Sequence, residues 1–400
     1  MNTQSKILLD KIFAKTAAFF LNVIVRLVGE ILSIDHDLNK EFKTIAISKF
    51  KGLGSILQST PMIHAIRQRY PDAEIIYVTT PANRALLEKI HWIDTIIVVD
   101  DSSFFKFIWS NITALLQLIR KRPEIYFDLE IYSDYSTLFT TFTLAKNRVG
   151  FYLRSSSFRL GIYTHMMFFN ARVPVSQIYL QLTKLIHCDT DFAEFYDFSN
   201  YGEPRPKEYL VINPNTSDLR EERRWEKSKF VQLIQKITTE LPQYDVLLIG
   251  SKSEAAYVNE IADAIPHPNV INTAGKTTLD ELISIISHAQ LLITNDTGPM
   301  HLSFCTKSPT VCLYGPSAPE KYVKNDSTYI IYHRLYCSPC VHDFEFAPCN
   351  GDNQCMQMIQ VQEVYDQVLM ALQNQKPVNR YENPPHILNQ EKKVFGIINR

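Results

Sequence analysis

Short β-branched runs and amphipathic stretches alternate along this chain, twice over. In the first series Thr44–Ser48, Glu74–Thr79, Thr95–Val99 and Ile125–Ile131 read as strands. Ile56–Arg69, Ala82–Lys89 and Phe104–Lys121 read as the helices between them. Strand–helix–strand order implies a parallel sheet covered on both faces. Regularity is lost from about Leu153 to Pro206, and Tyr201-Gly-Glu-Pro-Arg-Pro reads as a connector, because its two prolines oppose helix and sheet alike. The alternation then restarts with strands at Tyr209–Ile212, Asp245–Ile249, Val270–Asn272, Leu291–Thr294 and Thr310–Tyr314. Phe230–Glu240, Glu254–Ala264 and Leu279–His288 are the intervening helices. A chain of 400 residues is long for one core. The reading is therefore α/β with two doubly wound domains, over 41–200 and 207–356. An amphipathic helix precedes them within 1–40, a helix follows at 357–375, and 376–400 is a polar, Pro-rich tail. Two such halves facing each other would hold a ligand in the cleft at the carboxyl ends of their strands.

Charge narrows the partners. The net charge of −1 carries no basic excess for nucleic acid, so phosphate recognition should be local. No short basic region, apolar core and small-residue cleavage site opens the sequence, and the expected setting is the reducing cytoplasm. Ile7–Ile34 is unusually apolar, yet only ten uncharged residues separate Lys15 from Arg26, against about 20 needed to span a bilayer. Lys11, Lys15, Asn22, Arg26 and Glu30 form one narrow stripe on a helix whose other faces are apolar. Such a helix lies in a membrane interface with its basic stripe toward the headgroups, or packs on the protein body or a second subunit.

Four loops carry candidate chemistry. The first, Asn295-Asp-Thr-Gly-Pro-Met-His301, follows the strand Leu291–Thr294 and opens a helix. A helix start offers unpaired N–H groups and a favourable dipole to phosphate oxygens. Gly298 allows close approach, Pro299 suits a first turn, and His301 can donate a hydrogen bond or a positive charge. The second is Asn213-Pro-Asn215-Thr216-Ser217 with Arg220, Arg223, Arg224 and Trp225 beyond it, the amides, hydroxyls and guanidiniums that a diphosphate requires; alone, it also reads as a solvated loop. In the third, Ile249-Gly-Ser-Lys-Ser-Glu254, Glu254 caps a helix or accepts from a ribose hydroxyl. The fourth, Lys49-Phe-Lys51-Gly52-Leu-Gly54-Ser55, lacks the spacing of a dinucleotide or ATP loop and reads as a tight turn toward an acceptor.

Taken together, the Gly-rich first loop with Gln58-Ser-Thr-Pro61, then Arg223-Arg-Trp225, then Asp296-Thr-Gly-Pro-Met-His301, resemble the heptosyltransferase-like glycosyltransferases of family 9, from about Lys43 to Ala371. The resemblance implies the GT-B fold of two Rossmann-like domains and inverting, metal-independent transfer. The donor, a nucleotide-diphospho-sugar, would sit in the C-terminal half; a lipid-linked or other surface glycan of lipopolysaccharide type would be accepted by the N-terminal half. It also implies a place at the cytoplasmic face of the inner membrane. Asn213, Asn215, Thr216, Arg223, Glu254, Asp296, Thr297, Gly298 and His301 would bind the donor, with Lys51, Gly52 and Gly54 in the acceptor loop. The family commonly has Gly-Asp in the first loop, where this chain has Gly54-Ser55. An unassisted serine is no base near neutral pH. Glu130 and Asp134, beyond the strand that starts at Ile125, are the topological substitutes, beside Ser55 itself. A catalytically impaired nucleotide-sugar or glycan-binding protein on the same fold is the alternative, and a sugar-nucleotide epimerase a third.

Cysteines add one more feature. Of seven, Cys188, Cys305 and Cys312 sit in apolar surroundings, while Cys337-x2-Cys340-x8-Cys349-x5-Cys355 begins with metal-knuckle spacing, with Pro339 and His342 close by. Its second half lacks a matching pair. Structural zinc or iron, free thiols and a disulfide all remain open, and transfer itself would need no cofactor.

Overall fold

A computed structural model describes residues 15–131, 133–153, 159–170, 173–216, 220–322, 326–341 and 347–377. The chain divides into two compact units, Met1–Tyr196 and Asp197–Arg400.

In the first unit, helix α1 (Lys15–Ile31) precedes β1 (Thr44–Ser48), α2 (Leu53–Arg69), β2 (Glu74–Thr79), α3 (Pro81–Leu87) and β3 (Thr95–Val98). Then follow α4 (Phe104–Lys121), β4 (Ile125–Asp128), α5 (Asp134–Phe142), β5 (Asn147–Tyr152), β6 (His165–Phe168) and α6 (Val175–Thr183). The second unit holds β7 (Tyr209–Asn213), α7 (Lys227–Glu240), β8 (Asp245–Leu248), α8 (Ala255–Asp263), β9 (Val270–Asn272), α9 (Leu279–Ser287) and β10 (Leu291–Asn295). It continues with α10 (Gly298–Thr306), β11 (Thr310–Tyr314), β12 (Thr328–Tyr332), α11 (Gln354–Gln357) and α12 (Val361–Leu372).

Each unit is built on a six-stranded sheet, ordered β3-β2-β1-β4-β5-β6 in the first and β12-β11-β10-β7-β8-β9 in the second. Every pairing is parallel. Parallel strands covered on both faces read as nearly unbroken apolar runs, which is why Tyr-Leu-Val-Ile-Asn and Leu-Leu-Ile-Thr-Asn are buried at every position. Each sheet grows from its middle to one edge and returns to the middle. The order therefore reverses between β1 and β4, and again between β7 and β10, the positions where α/β sheets leave room for ligands at their carboxyl ends.

Element ends show where local chemistry overrides periodicity. The run Ile125–Ile131 stops being strand at Asp128, whose Oδ1 accepts the Glu130 N–H at 3.0 Å and turns the chain. Helix α2 starts at Leu53, ahead of its first apolar-periodic residue, because Gly52 takes φ +90° at its N-cap. Pro61 inside that helix cannot donate to the Leu57 carbonyl, and the Thr60 hydroxyl does so instead at 2.7 Å. The irregular stretch before the connector does contain structure, namely β6 and α6.

Helix α1 lies with its narrow face on the unit. Ala18 is fully buried, Asn22 donates to the Leu160 carbonyl, and the Arg26 guanidinium lies over Gly161, where a side chain would collide with it. Asn22 and Arg26 of the polar stripe thus meet the protein, whereas Glu30 is exposed, as are Phe20, Leu27 and Ile31. Residues 1–14, with Lys11, and the tail beyond 377 lie outside the described residues. No helix among the described residues is long and apolar enough to cross a membrane.

Candidate donor-binding and acceptor-side sites

In the second unit β7 and β10 are neighbours, with Asn213 in register with Thr294. Their carboxyl ends carry the two loops with donor candidates. Asn295 ties them together: its amide donates to the carbonyls of Pro214 and Asn215, each at 3.1 Å, and its Oδ1 accepts the Trp225 N–H at 3.2 Å. Trp225 is fully buried and donates through Nε1 to Ile359 at 3.0 Å, which anchors the arginine segment to the core. Asn215 reaches the Ile249 carbonyl at 2.9 Å, an approach that Gly250 permits, since a Cβ there would sit 2.8 Å from Asn215 Nδ2. Asn213 Nδ2 donates to Thr294 Oγ1 at 3.0 Å.

Helix α10 begins beside these loops. Thr297 is its N-cap in extended conformation, with no side-chain capping bond, and Gly298 and Pro299 form its start. The first turn of a helix has N–H groups without intrahelical partners, and its dipole favours an anion. Around it, polar atoms are buried without a hydrogen-bond partner: Asn215 Oδ1, Thr216 Oγ1, Ser317 Oγ and both carboxylate oxygens of Asp296. Asp296 has instead an ion pair with Arg223, Nη1 to Oδ2 at 3.4 Å. Burial opposes the Arg223 charge, but Asp296 outweighs it and keeps the guanidinium firmly protonated. Burial pushes the His301 imidazole down to about 4, with Asp296 opposing and Arg223 adding to that shift. His301 is thus neutral near neutral pH, with a ring N–H able to donate a hydrogen bond. Glu254 stands at the N-cap of α8 but makes no side-chain capping bond there, and one of its oxygens accepts the Ser251 N–H at 2.7 Å.

Sequence reasoning missed Ser317, just beyond β11, and Tyr322, whose ring meets His301 edge-on at 4.5 Å. A small hydroxyl in Gly315-Pro-Ser317 gives no signal until the sheet order sets β11 beside β10. Ser217 lies outside the described residues.

The first unit has a corresponding arrangement at β1 and β4. Glu130 accepts Lys49 Nζ at 2.8 Å on one oxygen, and the N–H groups of Phe50 and Lys51 at 2.8 and 3.2 Å on the other. Burial alone would raise its pKa; the Lys49 charge and these hydrogen bonds hold it below the ordinary value. The loop is fastened further by Thr79 to the Lys49 carbonyl and Thr80 to the Phe50 carbonyl, both at 2.7 Å. Buried Arg159 holds the backbone of Glu130 at 2.9 Å and of Ser133 at 2.6 Å. Asp134 opens α5 one residue after its N-cap Ser133 and is largely buried. Ser55 lies in the first turn of α2, its hydroxyl close to Gly52, with Lys51 and Gly52 exposed and Gly54 buried.

Cys337, Cys340, Cys349 and Cys355 line one cavity and all are free. Burial pushes the Cys340 thiol up to about 11, and the neighbouring cysteines add to the rise. Among the described residues no three His, Cys, Asp or Glu side chains are grouped so as to hold a metal ion. His342, close to Cys340 in sequence, lies outside the described residues.

With this geometry in place, comparison with known proteins gives the class. The model of glycosyltransferase family 9 (heptosyltransferase) matches residues 132–349, and the chain belongs to that family. Lipooligosaccharide heptosyltransferase 2 of Campylobacter jejuni is 31% identical over 173 residues, which cover 42% of this chain and 52% of that protein. Lipopolysaccharide heptosyltransferase 1 of Campylobacter coli is 25% identical over 292 residues, 68% of this chain and 83% of that one. The first of these matches thus spans about half the relative's length. Among solved structures, the ADP-heptose lipopolysaccharide heptosyltransferase II of E. coli shares the fold, with a TM-score of 0.66, 20% identity, and 83% of this chain and 99% of that one covered.

Proposed function

We propose that the chain is an inverting, metal-independent glycosyltransferase that moves heptose or a related sugar from a nucleotide-diphosphate donor to a lipid-linked surface glycan of lipopolysaccharide type. The observation that carries this reading is the set of buried polar atoms without partners, Asn215 Oδ1, Thr216 Oγ1 and Ser317 Oγ, just beyond β7 and β11, the two neighbours of β10, whose own end opens into α10. Buried polar groups are normally paired, and leaving one unpaired costs about 1–3 kcal/mol. A diphosphate with its sugar or ribose hydroxyls supplies the missing partners. ADP-heptose, for which the E. coli neighbour is named, is the first candidate.

Transfer requires three movements. A base takes the proton of the acceptor hydroxyl, the oxygen bonds to the anomeric carbon, and the bond from that carbon to the diphosphate breaks with its electrons going to phosphate oxygen. Charge growing on the leaving group is met by the N–H groups and dipole of α10, by His301 donating a hydrogen bond, and by Arg223, which together replace a divalent ion. For the base, Glu130 is poorly suited, since Lys49 and two backbone N–H groups already occupy its oxygens. Ser55 has no basic partner among the described residues. We assign the proton to Asp134, with Glu130 holding the acceptor loop Lys51–Gly54 in shape. The four clustered cysteines brace their own loop and take no part in transfer. Metal analysis of protein purified without added ions separates bare thiols from bound zinc or iron. The lipid-linked acceptor places the enzyme at the cytoplasmic face of the inner membrane.

The test is release of nucleoside diphosphate from a panel of nucleotide-sugars in excess EDTA, with and without lipopolysaccharide-core acceptors. Acceptor-dependent release from at least one donor is expected. Binding of donors without turnover would move the chain to the alternative, a nucleotide-sugar-binding protein. Turnover without acceptor would make it an epimerase or hydrolase.

A further inference from the structure

Helix α4 turns a wholly apolar stripe outward. Phe105, Ile108, Trp109, Ile112, Leu116 and Ile119 recur at helical spacing, and all are exposed, Phe105 by 83% and Trp109 by 69%. Its inner face, with Ala114 and Leu118, is spent on the sheet. Helices α4 and α1 both pack against α5. The outward residues of α1 are apolar too, Ile31 being 78% exposed, and the end of α5 adds exposed Phe142 and Leu144. Scattered exposed hydrophobics are ordinary, but a stripe continued onto neighbouring elements marks a contact surface.

Charge selects the occupant. Helix α4 contains no acidic residue; Lys106 near its start pairs with Asp100 at 3.9 Å, and Arg120 and then Arg122 stand at the far end of its stripe as exposed cations. A second copy docking about a two-fold axis would set this surface against itself, cation facing cation with no carboxylate on α4 to answer them. A bilayer with anionic headgroups satisfies both features, acyl chains for the stripe and phosphates for the cations, with Trp109 at the depth that tryptophan favours. We propose that α4, with the outward face of α1 beside it, is the membrane-docking surface of this chain and selects anionic lipid. This deepens the interfacial part of the functional reading by naming the surface and the lipid class. Asn22 and Arg26 of the α1 polar stripe meet protein rather than headgroups, and its apolar faces meet the membrane.

The experiment is vesicle co-flotation of the full chain, with phosphatidylcholine alone or mixed with phosphatidylglycerol. Wild type should float with the mixed vesicles and only weakly with the neutral ones. Phe105→Ser with Trp109→Ser should cut partitioning by about tenfold or more, and Arg120→Glu with Arg122→Glu should erase the preference for phosphatidylglycerol. These residues are exposed and belong to the first unit, while the donor loops belong to the second, so unchanged melting and ADP affinity in the variants report an intact fold. Wild type failing to float, or variants floating like wild type, would overturn the proposal. So would a lipid-free dimer that Trp109→Ser converts to monomer, since a second copy would then be the occupant. Loss of ADP binding with flotation intact would count against the transferase reading alone.

Discussion

His301 and Glu130 are buried ionisable groups with opposite tasks. Because burial pushes His301 down to about 4, against an ordinary value of 6.5, an unfolded chain takes up a proton between those values that the folded chain does not. Stability contributed by this residue is therefore complete above about 6.5, lost as pH falls toward 4, and level below that. Melting curves from pH 7 to pH 4 should show His301→Gln losing less stability than wild type, by on the order of 3 kcal/mol at most. At Glu130 the charge is fully used. Glu130→Gln leaves Lys49 buried without its partner and should cost about 3–5 kcal/mol in chemical denaturation. Asp134→Asn should lower kcat by about 10²–10⁴-fold, with the acid limb of the pH–rate profile lost. The reverse outcome, with Glu130→Gln stable and inactive, would return the base to Glu130.

Among the elements, the loops at strand ends matter more than the strands. Gly250→Ala would press on Asn215, which braces the first donor loop through the Ile249 carbonyl. Loss of that hydrogen bond costs about 1 kcal/mol of folding stability, so the melting point should fall by about 2–4 °C, and calorimetric titration should show ADP binding weakened as the loop loosens. Legibility from sequence follows the same division. Strands such as Leu291–Asn295 and the start of α10 could be read directly, because central parallel strands must be continuously apolar and Thr-Gly-Pro is the chemistry of a helix start. The two strands after α5 were not legible. Asn-Arg-Val-Gly-Phe-Tyr breaks its apolar run at Gly150, where the Tyr163 ring packs so closely that a Cβ would come within 2.9 Å, and His-Met-Met-Phe is only four residues long. At the site, Asp296 to His301 stood out as a string, whereas Ser317 and Tyr322 acquire meaning only through strand order. The clamp that occupies Glu130 was likewise invisible, since Lys49 and Glu130 are 81 residues apart.

At the scale of the molecule, each unit has its own sheet and its own core. The second is centred on Trp225, Phe230 and the strands β7 and β10, the first on Phe50, Tyr126 and Phe139. Independent cores are expected to unfold as separate transitions, so calorimetry should not fit a single two-state step. ADP at a hundred times its Kd should raise the transition of the second unit alone, by about 2.7 kcal/mol. The account as a whole stands on recognition of a diphosphate by the second unit without a metal. Titration of the full chain with ADP and with AMP in excess EDTA measures this directly. The structure predicts that ADP binds at least about tenfold more tightly than AMP, the worth of one further charge-assisted contact, and that His301→Ala with Thr216→Ala abolishes the difference. Equal affinity for the two nucleotides, or binding of ADP only when a divalent ion is restored, would contradict it.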